Sequence, residues 1–205
     1  MKNDRETRAF SRVEIETRNE AGDASYIVRG YASTFEPYVL FTDGDTEYKE
    51  QIDPHAFDET DMSDVVFRVD HEGAVYARSS AGTLKVGVDE HGLFDEADLS
   101  KTEKARGLFE DIAAGNYPKQ SFAFSVREDS YDKETHTRTI LKIGKLYDVS
   151  PVSFPANPGT ELDIATRDYF NGVIEMEKAE RLESEKRARL KKQLELKIKI
   201  MENEK

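Results

Sequence analysis

The sequence reads Gln120-Ser121-Phe122-Ala123-Phe124-Ser125-Val126 at the point that decides the fold. Large apolar side chains alternate here with small ones. Side chains in a β-strand point alternately to the two faces of the sheet, so this alternation predicts a strand whose phenylalanines face the core. Ser121 would then face away from the core, where its hydroxyl can meet a substrate.

The chain before this strand is also patterned for β-structure. Residues 12–34 contain two alternating runs around a polar turn, which predicts a hairpin. The runs 65–69 and 84–88 are apolar or alternating and predict further strands. Residues 36–64 are rich in proline, glycine and aspartate, and we expect mostly loop there.

One internal helix is predicted immediately before the central strand. Ser100 and Glu103 have the spacing of a capping box, in which the two side chains satisfy backbone amides reciprocally. Gly115 and Pro118 then end the helix. Its core face would carry Ala105, Leu108, Phe109 and Ile112.

The C-terminal segment is patterned differently from the rest of the chain. Residues 175–205 contain neither proline nor glycine, and glutamates dominate the first part while lysines and arginines dominate the second. This order complements the helix dipole. A long amphipathic helix is predicted, with an apolar stripe formed by Leu190, Leu194, Ile198 and Met201.

Composition excludes several classes of protein and site. A formal charge of −12 over 205 residues argues against a general nucleic-acid binder, because phosphate attraction needs a basic surface. The chain has no cysteine, so disulfides, thiolate metal sites and a cysteine nucleophile are excluded. No apolar run approaches the roughly 18 residues of a membrane span, and residues 1–6 lack the apolar core of a signal peptide. We therefore expect a soluble cytoplasmic protein without membrane contact.

A histidine at the end of an apolar strand suggests the chemistry. His71 follows the run 65–69, and Ser121 comes fifty residues later. Imidazole titrates near neutrality and can take a hydroxyl proton during attack on a carbonyl, so the pair predicts a serine hydrolase. The other histidines, His55, His91 and His136, are scattered without metal-ligand spacing. We expect neither a metal nor a cofactor.

Three segments of the chain carry a family resemblance: Asp70-His71-Glu72, Ser121-Phe122-Ala123-Phe124 and Asp148-Val149-Ser150-Pro151-Val152-Ser153-Phe154-Pro155-Ala156-Asn157-Pro158. Together they resemble the prohead maturation proteases of tailed bacteriophages. The resemblance covers roughly residues 25–160, and those proteases are distantly similar to the herpesvirus assemblins. It implies a mainly β, α+β fold: an assemblin-like β-barrel with a few packed helices.

The resemblance also implies a catalytic triad. Ser121 would be the nucleophile, His71 the general base, and Asp148 the third member, because it follows Ser121 at about the expected distance. A carboxylate there could accept the other ring N–H of His71 and stabilise the imidazolium. Three other residues could take the third role: His136, Asp70 and Glu72.

The implied function is that of a serine endopeptidase acting during prohead maturation. Its substrates would be the scaffolding region of the major capsid protein and the protease itself, inside the assembling prohead in the host cytoplasm. A homo-oligomer is among the expected assemblies. The alternative is a non-enzymatic capsid-assembly or scaffolding protein on the same fold. We expect a flexible N-terminus over 1–10, a protease domain over 11–165 and a charged helical extension over 166–205.

Overall fold

Strands dominate the first of the two units into which the chain divides, Met1–Asp163 and Ile164–Lys205. The computed structural model describes residues 5–12, 14–18, 24–153 and 164–203. The strands are β1 (Arg5–Arg12), β2 (Glu14–Arg18), β3 (Ala24–Thr34), β4 (Tyr38–Asp43), β5 (Thr46–Ile52), β6 (Val66–Val69), β7 (Glu72–Arg78), β8 (Leu84–Val88), β9 (Gly92–Asp98), β10 (Lys119–Asp132) and β11 (Thr137–Val152). The helices are α1 (Glu103–Ala113) and α2 (Ile164–Asn203).

The larger sheet has the hydrogen-bonded order β1-β10-β11-β5-β4, with β6 also pairing with β11 and β7 with β6. β10 and β11 form a long antiparallel pair, whereas β5 and β6 both run parallel to β11. The smaller sheet has the order β2-β3-β9-β8. The prediction of a mainly β fold is confirmed. The described residues do not close into a barrel, so the assemblin-like barrel stays a prediction.

The core lies where the sequence pattern predicted it along β10. Phe122 and Phe124 are fully buried, and their rings stack with centroids 4.4 Å apart. The predicted hairpin of residues 12–34 is present as the antiparallel pair β2 and β3. Its turn, residues 19–23, lies outside the described residues.

The expectation of a loop over residues 36–64 is wrong for two strands. β4 and β5 form a hairpin around the two-residue turn Gly44-Asp45, and Gly44 has φ +61°. Glycine and aspartate are typical of loops in a sequence pattern, but here they form the tight turn that connects two paired strands. β5 buries Tyr48, Glu50 and Ile52 at alternate positions, and the buried charge of Glu50 hides this alternation from a hydropathy pattern.

The internal helix is confirmed with a corrected start. The N-cap of α1 is Thr102, whose hydroxyl accepts a hydrogen bond from the amide of Ala105 at 3.0 Å. Ser100 instead donates its amide to Asp98, so it belongs to the preceding turn. A threonine caps a helix by the same geometry as a serine. The buried face is the predicted one: Ala105, Leu108, Phe109 and Ile112.

Part of the N-terminal segment forms a strand, and the flexibility expected for residues 1–10 stays a prediction. β1 pairs antiparallel with β10, with Arg8 opposite Phe122. The side chains of Glu6 and Arg8 are both buried, although charged residues ordinarily lie at the surface. The sequence pattern failed here because the partners that make this burial tolerable are on distant strands.

Those partners form a buried ion cluster, defined as Glu6, Arg8, Glu50 and Arg138. Arg8 Nε donates to Glu50 Oε1 at 2.5 Å, and Arg138 Nη1 donates to Glu6 Oε2 at 2.8 Å. Burial acts to raise the pKa of Glu6, but Arg8 and Arg138 hold that pKa below its usual range. Charges buried in this way must be paired, so the cluster ties β1 to β5 and β11.

The second unit is the helix α2, and the prediction of a long C-terminal helix is confirmed. It runs from Ile164 to Asn203. Leu190, Leu194 and Ile198 of the predicted stripe are all more than half exposed. Met201 falls among the residues whose side chains are not described. None of the helices in the described ranges has the length and apolarity that spanning a membrane requires.

A second buried polar contact lies beside the central strand. Gln120 and Asp95 are both almost fully buried, and Gln120 Nε2 donates to the two carboxylate oxygens of Asp95 at 3.0 and 2.9 Å. Among the described residues Gln120 Oε1 has no hydrogen-bond partner. Burial raises the pKa of Asp95 well above its usual range, although the Gln120 hydrogen bond acts in the other direction.

We expect the Asp95→Asn variant to be more stable at pH 7, by about 1–3 kcal/mol, which is the usual cost of an unsatisfied buried polar group. The new amide can donate to Gln120 Oε1 while its own oxygen accepts from Gln120 Nε2. Because the pKa of Asp95 is raised by folding, the native chain loses stability as the pH rises above the ordinary aspartate value. Urea unfolding at pH 5 and pH 8 should therefore show a larger gain for the variant at pH 8.

The matched control is Glu96→Gln, which removes the same charge from the next residue of β9, where the side chain is exposed and pairs with Arg29. This variant should change the free energy of unfolding by no more than about 0.5 kcal/mol. An Asp95→Asn variant that is less stable than the native chain at both pH values would contradict the prediction.

Candidate active site

Three side chains from three strands or strand ends meet in the larger sheet. His71 Nε2 lies 2.7 Å from Ser121 Oγ, and His71 Nδ1 lies 2.6 Å from Asp148 Oδ1. Asp148 is 1% exposed, Ser121 2%, and the His71 side chain 17%. The structure thus brings together, in a single hydrogen-bonded line, the three residues that the sequence nominated for catalysis.

Strand pairing explains why Ser121 and Asp148 are neighbours. β10 and β11 are antiparallel, with Ser121 opposite Ser150 and Ala123 opposite Asp148. Two positions separate Ser150 from Asp148, so both side chains project from the same face of the sheet. The hairpin therefore delivers a hydroxyl and a carboxylate to one face.

His71 arrives from the other side of β11. β6 runs parallel to β11, with Val66 opposite Asp148, and the chain turns directly after β6. Asp70 and His71 have φ of +47° and +59°. Left-handed backbone costs roughly 1–2 kcal/mol for a residue with a Cβ, so this turn needs support from its surroundings.

The support comes from the end of β11. The amide of Asp70 donates to the Pro151 carbonyl at 3.2 Å, and its carboxylate accepts from the amide and hydroxyl of Ser153 at distances between 2.8 and 3.1 Å. These bonds hold the turn against the strand that carries Asp148. Asp70 therefore fixes the approach of His71, and its own carboxylate points to Ser153.

The Asp148 carboxylate has partners on both oxygens. Oδ1 accepts from His71 Nδ1 and from the Ser150 hydroxyl, the latter at 2.8 Å. Oδ2 forms an ion pair with the guanidinium of Arg5. An ionised carboxylate only accepts hydrogen bonds, so His71 Nδ1 carries the hydrogen and Nε2 is left to accept one from Ser121.

The Ser121 hydroxyl has two acceptors for its one hydrogen. Besides His71 Nε2, the backbone carbonyl of Arg8 lies 2.7 Å from Ser121 Oγ. The expectation that Ser121 faces away from the core needs a correction here, because the residue is almost fully buried. The cause is tertiary: the imidazole of His71 contacts Ser121, and β1 pairs alongside β10 with its Arg8 carbonyl at the Ser121 hydroxyl.

The other residues considered for the third position lie elsewhere. His136 is at the tip of the β10–β11 hairpin, where its Nδ1 is 3.1 Å from the Tyr131 hydroxyl and its ring packs near Tyr48. Glu72 is exposed at the start of β7. The carboxylate that contacts His71 Nδ1 is that of Asp148.

Sequence reasoning missed Arg5 and Ser150 as neighbours of Asp148, and Ser153 as the support of Asp70. Ser150 and Ser153 lie within the segment that carries the family resemblance. Ser150 is two residues from Asp148, so in a strand its hydroxyl lies on the same face, and this spacing could have identified it. Arg5 had no such signal, because it lies 143 positions from Asp148 and outside the resembling segments.

The arrangement has the chemistry of nucleophilic catalysis. A hydroxyl, an imidazole and a carboxylate in line allow proton transfer from the hydroxyl as it attacks a carbonyl carbon. In the described part of the chain no group of three or more histidine, aspartate or glutamate side chains is arranged to hold a metal ion. The contacts among Ser121, His71 and Asp148 point to a route that uses these three side chains.

Comparison with known proteins identifies a family. A family model described as caudovirus prohead serine protease matches residues 13–173. The matched segment contains Ser121, His71 and Asp148, and it begins immediately after β1. No curated protein and no solved structure matches the chain.

Proposed function

This chain belongs to the caudovirus prohead serine protease family, and from that premise we propose that it cleaves peptide bonds with Ser121 as nucleophile, His71 as general base and Asp148 as the residue that orients His71. Membership in the family supports a protease role in phage maturation. The residue roles are the proposal.

One observation supports these roles above all others. The Ser121 Oγ, both ring nitrogens of His71 and Asp148 Oδ1 form a continuous chain with contacts of 2.7 and 2.6 Å. Nucleophile and base are thus within hydrogen-bond reach, and a third group orients the base, which is the geometric signature of an activated serine. An incidental serine and histidine pair would have no need of a buried carboxylate on the second ring nitrogen.

The reaction proceeds in two halves. Ser121 Oγ bonds to the peptide carbonyl carbon while its proton moves to His71 Nε2, and Asp148 stabilises the resulting imidazolium. His71 then gives that proton to the leaving amine nitrogen as the carbon–nitrogen bond breaks, which leaves an acyl-enzyme. Water attacks the acyl carbon, its proton passes to His71, and Ser121 recovers the proton when the carboxylic acid product departs.

The Arg8 carbonyl adds one requirement to this sequence. It can hold the Ser121 hydrogen away from His71, and attack requires that hydrogen on the His71 side. Rotation of the hydroxyl about its Cβ–Oγ bond changes the acceptor without moving a heavy atom. The hydroxyl can therefore turn from the Arg8 carbonyl to His71 by rotation about this bond alone.

We propose as substrates the scaffolding region of the major capsid protein and the protease itself. The site of action is the interior of the assembling prohead in the host cytoplasm, where the chain would contact capsid subunits or form a homo-oligomer. The family supports this proposal because its members are proteases of proheads. The assemblin-like barrel belongs to the same proposal.

The test is a time course of intact mass, measured by mass spectrometry, for the purified native chain and for the Ser121→Ala variant. The protein concentration must be high enough for one molecule to cleave another. We expect defined truncation of the native chain and none of the variant, because removal of the nucleophile leaves no acyl-enzyme route. A parallel incubation with a fluorophosphonate should add one adduct to the native chain and none to the variant.

The matched control is Ser125→Ala, which removes a hydroxyl four residues along the same strand. It should truncate and label as the native chain does. Identical truncation of the Ser121→Ala variant would eliminate Ser121 as nucleophile. If the native chain is neither truncated nor labelled, co-expression of both forms with the capsid subunit decides, and an uncleaved subunit in both would contradict the proposed function.

A further inference from the structure

The strand β1 reaches the candidate active site from outside the segment that matches the family. The match begins at residue 13, whereas β1 ends at Arg12. Two groups of β1 nevertheless contact the triad. The Arg8 carbonyl accepts from the Ser121 hydroxyl, and the Arg5 guanidinium pairs with the Asp148 carboxylate. Arg5 is therefore a charged neighbour of the site that lies outside the segment matched by the family.

Asp148 needs a positive charge that His71 does not supply at rest. To act as a base, His71 must be neutral before attack, and a buried carboxylate without a counterion is strongly destabilised. Asp148 is 1% exposed. Arg5 provides the counterion on Oδ2, while Oδ1 remains with His71 and Ser150.

The fold holds Arg5 in place at both ends of its side chain. Its backbone is paired with Ser125 of β10, and β1 is tied down by the buried ion cluster of Glu6, Arg8, Glu50 and Arg138. Its guanidinium carbon lies 5.5 Å from the centre of the Tyr147 ring, within the range of a cation–π contact. An arginine anchored in this way loses little further conformational entropy on binding Asp148.

We propose that Arg5 is a positioning residue of the triad. It keeps Asp148 ionised while His71 is neutral, and it occupies Oδ2 so that Oδ1 stays directed at His71 Nδ1. Arg5 does not touch the reacting atoms and acts through Asp148. This inference rests on the proposed function, although its first test does not require activity.

The first test is an NMR titration of the His71 imidazole in the native chain and in Arg5→Gln. His71 Nδ1 contacts Asp148, which is paired with Arg5, and Asp70 and Glu72 flank His71 in the chain. Without the competing guanidinium, Asp148 favours the imidazolium more strongly. The midpoint of the titration should be higher in Arg5→Gln than in the native chain, and equal midpoints would overturn the proposal.

The second test is the rate of fluorophosphonate labelling of Ser121, read by intact mass. Arg5→Gln should label more slowly by on the order of 100-fold, the size expected when a reacting group is misplaced. Arg5→Lys retains the charge but not the planar fork, so its rate should lie between the two. Added guanidinium ion should restore part of the labelling rate in Arg5→Gln and leave the native rate unchanged. The Arg5 side chain is 29% exposed, so the ion can reach the position of the missing guanidinium from solvent.

The matched control is Arg29→Gln, which breaks an exposed ion pair between Arg29 of β3 and Glu96 of β9 and should leave both the titration and the labelling rate unchanged. A labelling rate within twofold of the native rate in Arg5→Gln would contradict the proposal while leaving the proposed function intact. If the native chain itself is not labelled, the co-expression test decides about the proposed function, and the NMR titration decides about Arg5.

Discussion

Replacing His71 by alanine is expected to abolish detectable peptide-bond cleavage, with kcat lowered on the order of 10⁶-fold, as when the base of a serine protease is removed. The imidazole is the group within reach of the Ser121 hydrogen that can also return a proton to the leaving amine. The Arg8 carbonyl also accepts from that hydroxyl, but it cannot take up a proton near neutral pH. Mass spectrometry of the cleavage products gives the rate.

Two further measurements sharpen this prediction. His136→Ala is the matched control, because it removes the histidine that sequence reasoning kept as a rival for the third position; it should cleave at the native rate. Added imidazole should restore part of the activity of His71→Ala, since the His71 side chain is 17% exposed and its place is open to solvent. Undiminished cleavage by His71→Ala would refute the base assignment.

Asp148→Asn is expected to lower kcat about 10⁴-fold, the effect known for the corresponding change in another serine protease. The amide of the asparagine can donate to His71 Nδ1, which favours the tautomer with its hydrogen on Nε2, facing Ser121. That tautomer cannot accept the Ser121 hydrogen. The change also leaves Arg5 beside a neutral group and withdraws the charge that stabilises the imidazolium. Cleavage and labelling rates measure the loss.

The control for this variant is Asp61→Asn, which removes an exposed salt bridge to Lys145 of the same strand. Its rate should remain within about twofold of native. Circular dichroism and the unfolding midpoint must accompany both variants, because Asp148 is buried and its loss also changes packing. A folded Asp148→Asn variant with near-native activity would return the third position to His136, Asp70 or Glu72.

Much of the fold could be predicted from the sequence, because the elements concerned follow from local residue patterns. The alternation around Phe122 and Phe124 predicted a strand with a buried face, and the spacing from Ala105 to Ile112 predicted a buried helix face. Both patterns reflect the geometric period of one element and need no partner. The long C-terminal helix was predictable for the same reason.

Local patterns failed where burial involves charge. Glu6, Arg8 and Glu50 are buried, yet each is polar enough that β1 was expected to be flexible and β5 to be loop. Their burial is tolerable only because Arg138 and the opposite charges converge on them. No window of neighbouring residues contains that information, since Arg138 is 132 positions from Glu6.

The sequence by itself determined the mainly β class, the helices and, through family resemblance, the three residues nominated for catalysis. Only the tertiary structure decided that Asp148, and not His136, contacts His71, that the Arg8 carbonyl of β1 contacts Ser121, and that Arg5 supplies the counterion of Asp148. The physical reason is that hydrogen bonds and ion pairs require atoms within about 3–4 Å. Strand order and register set those distances between residues that are far apart in the chain.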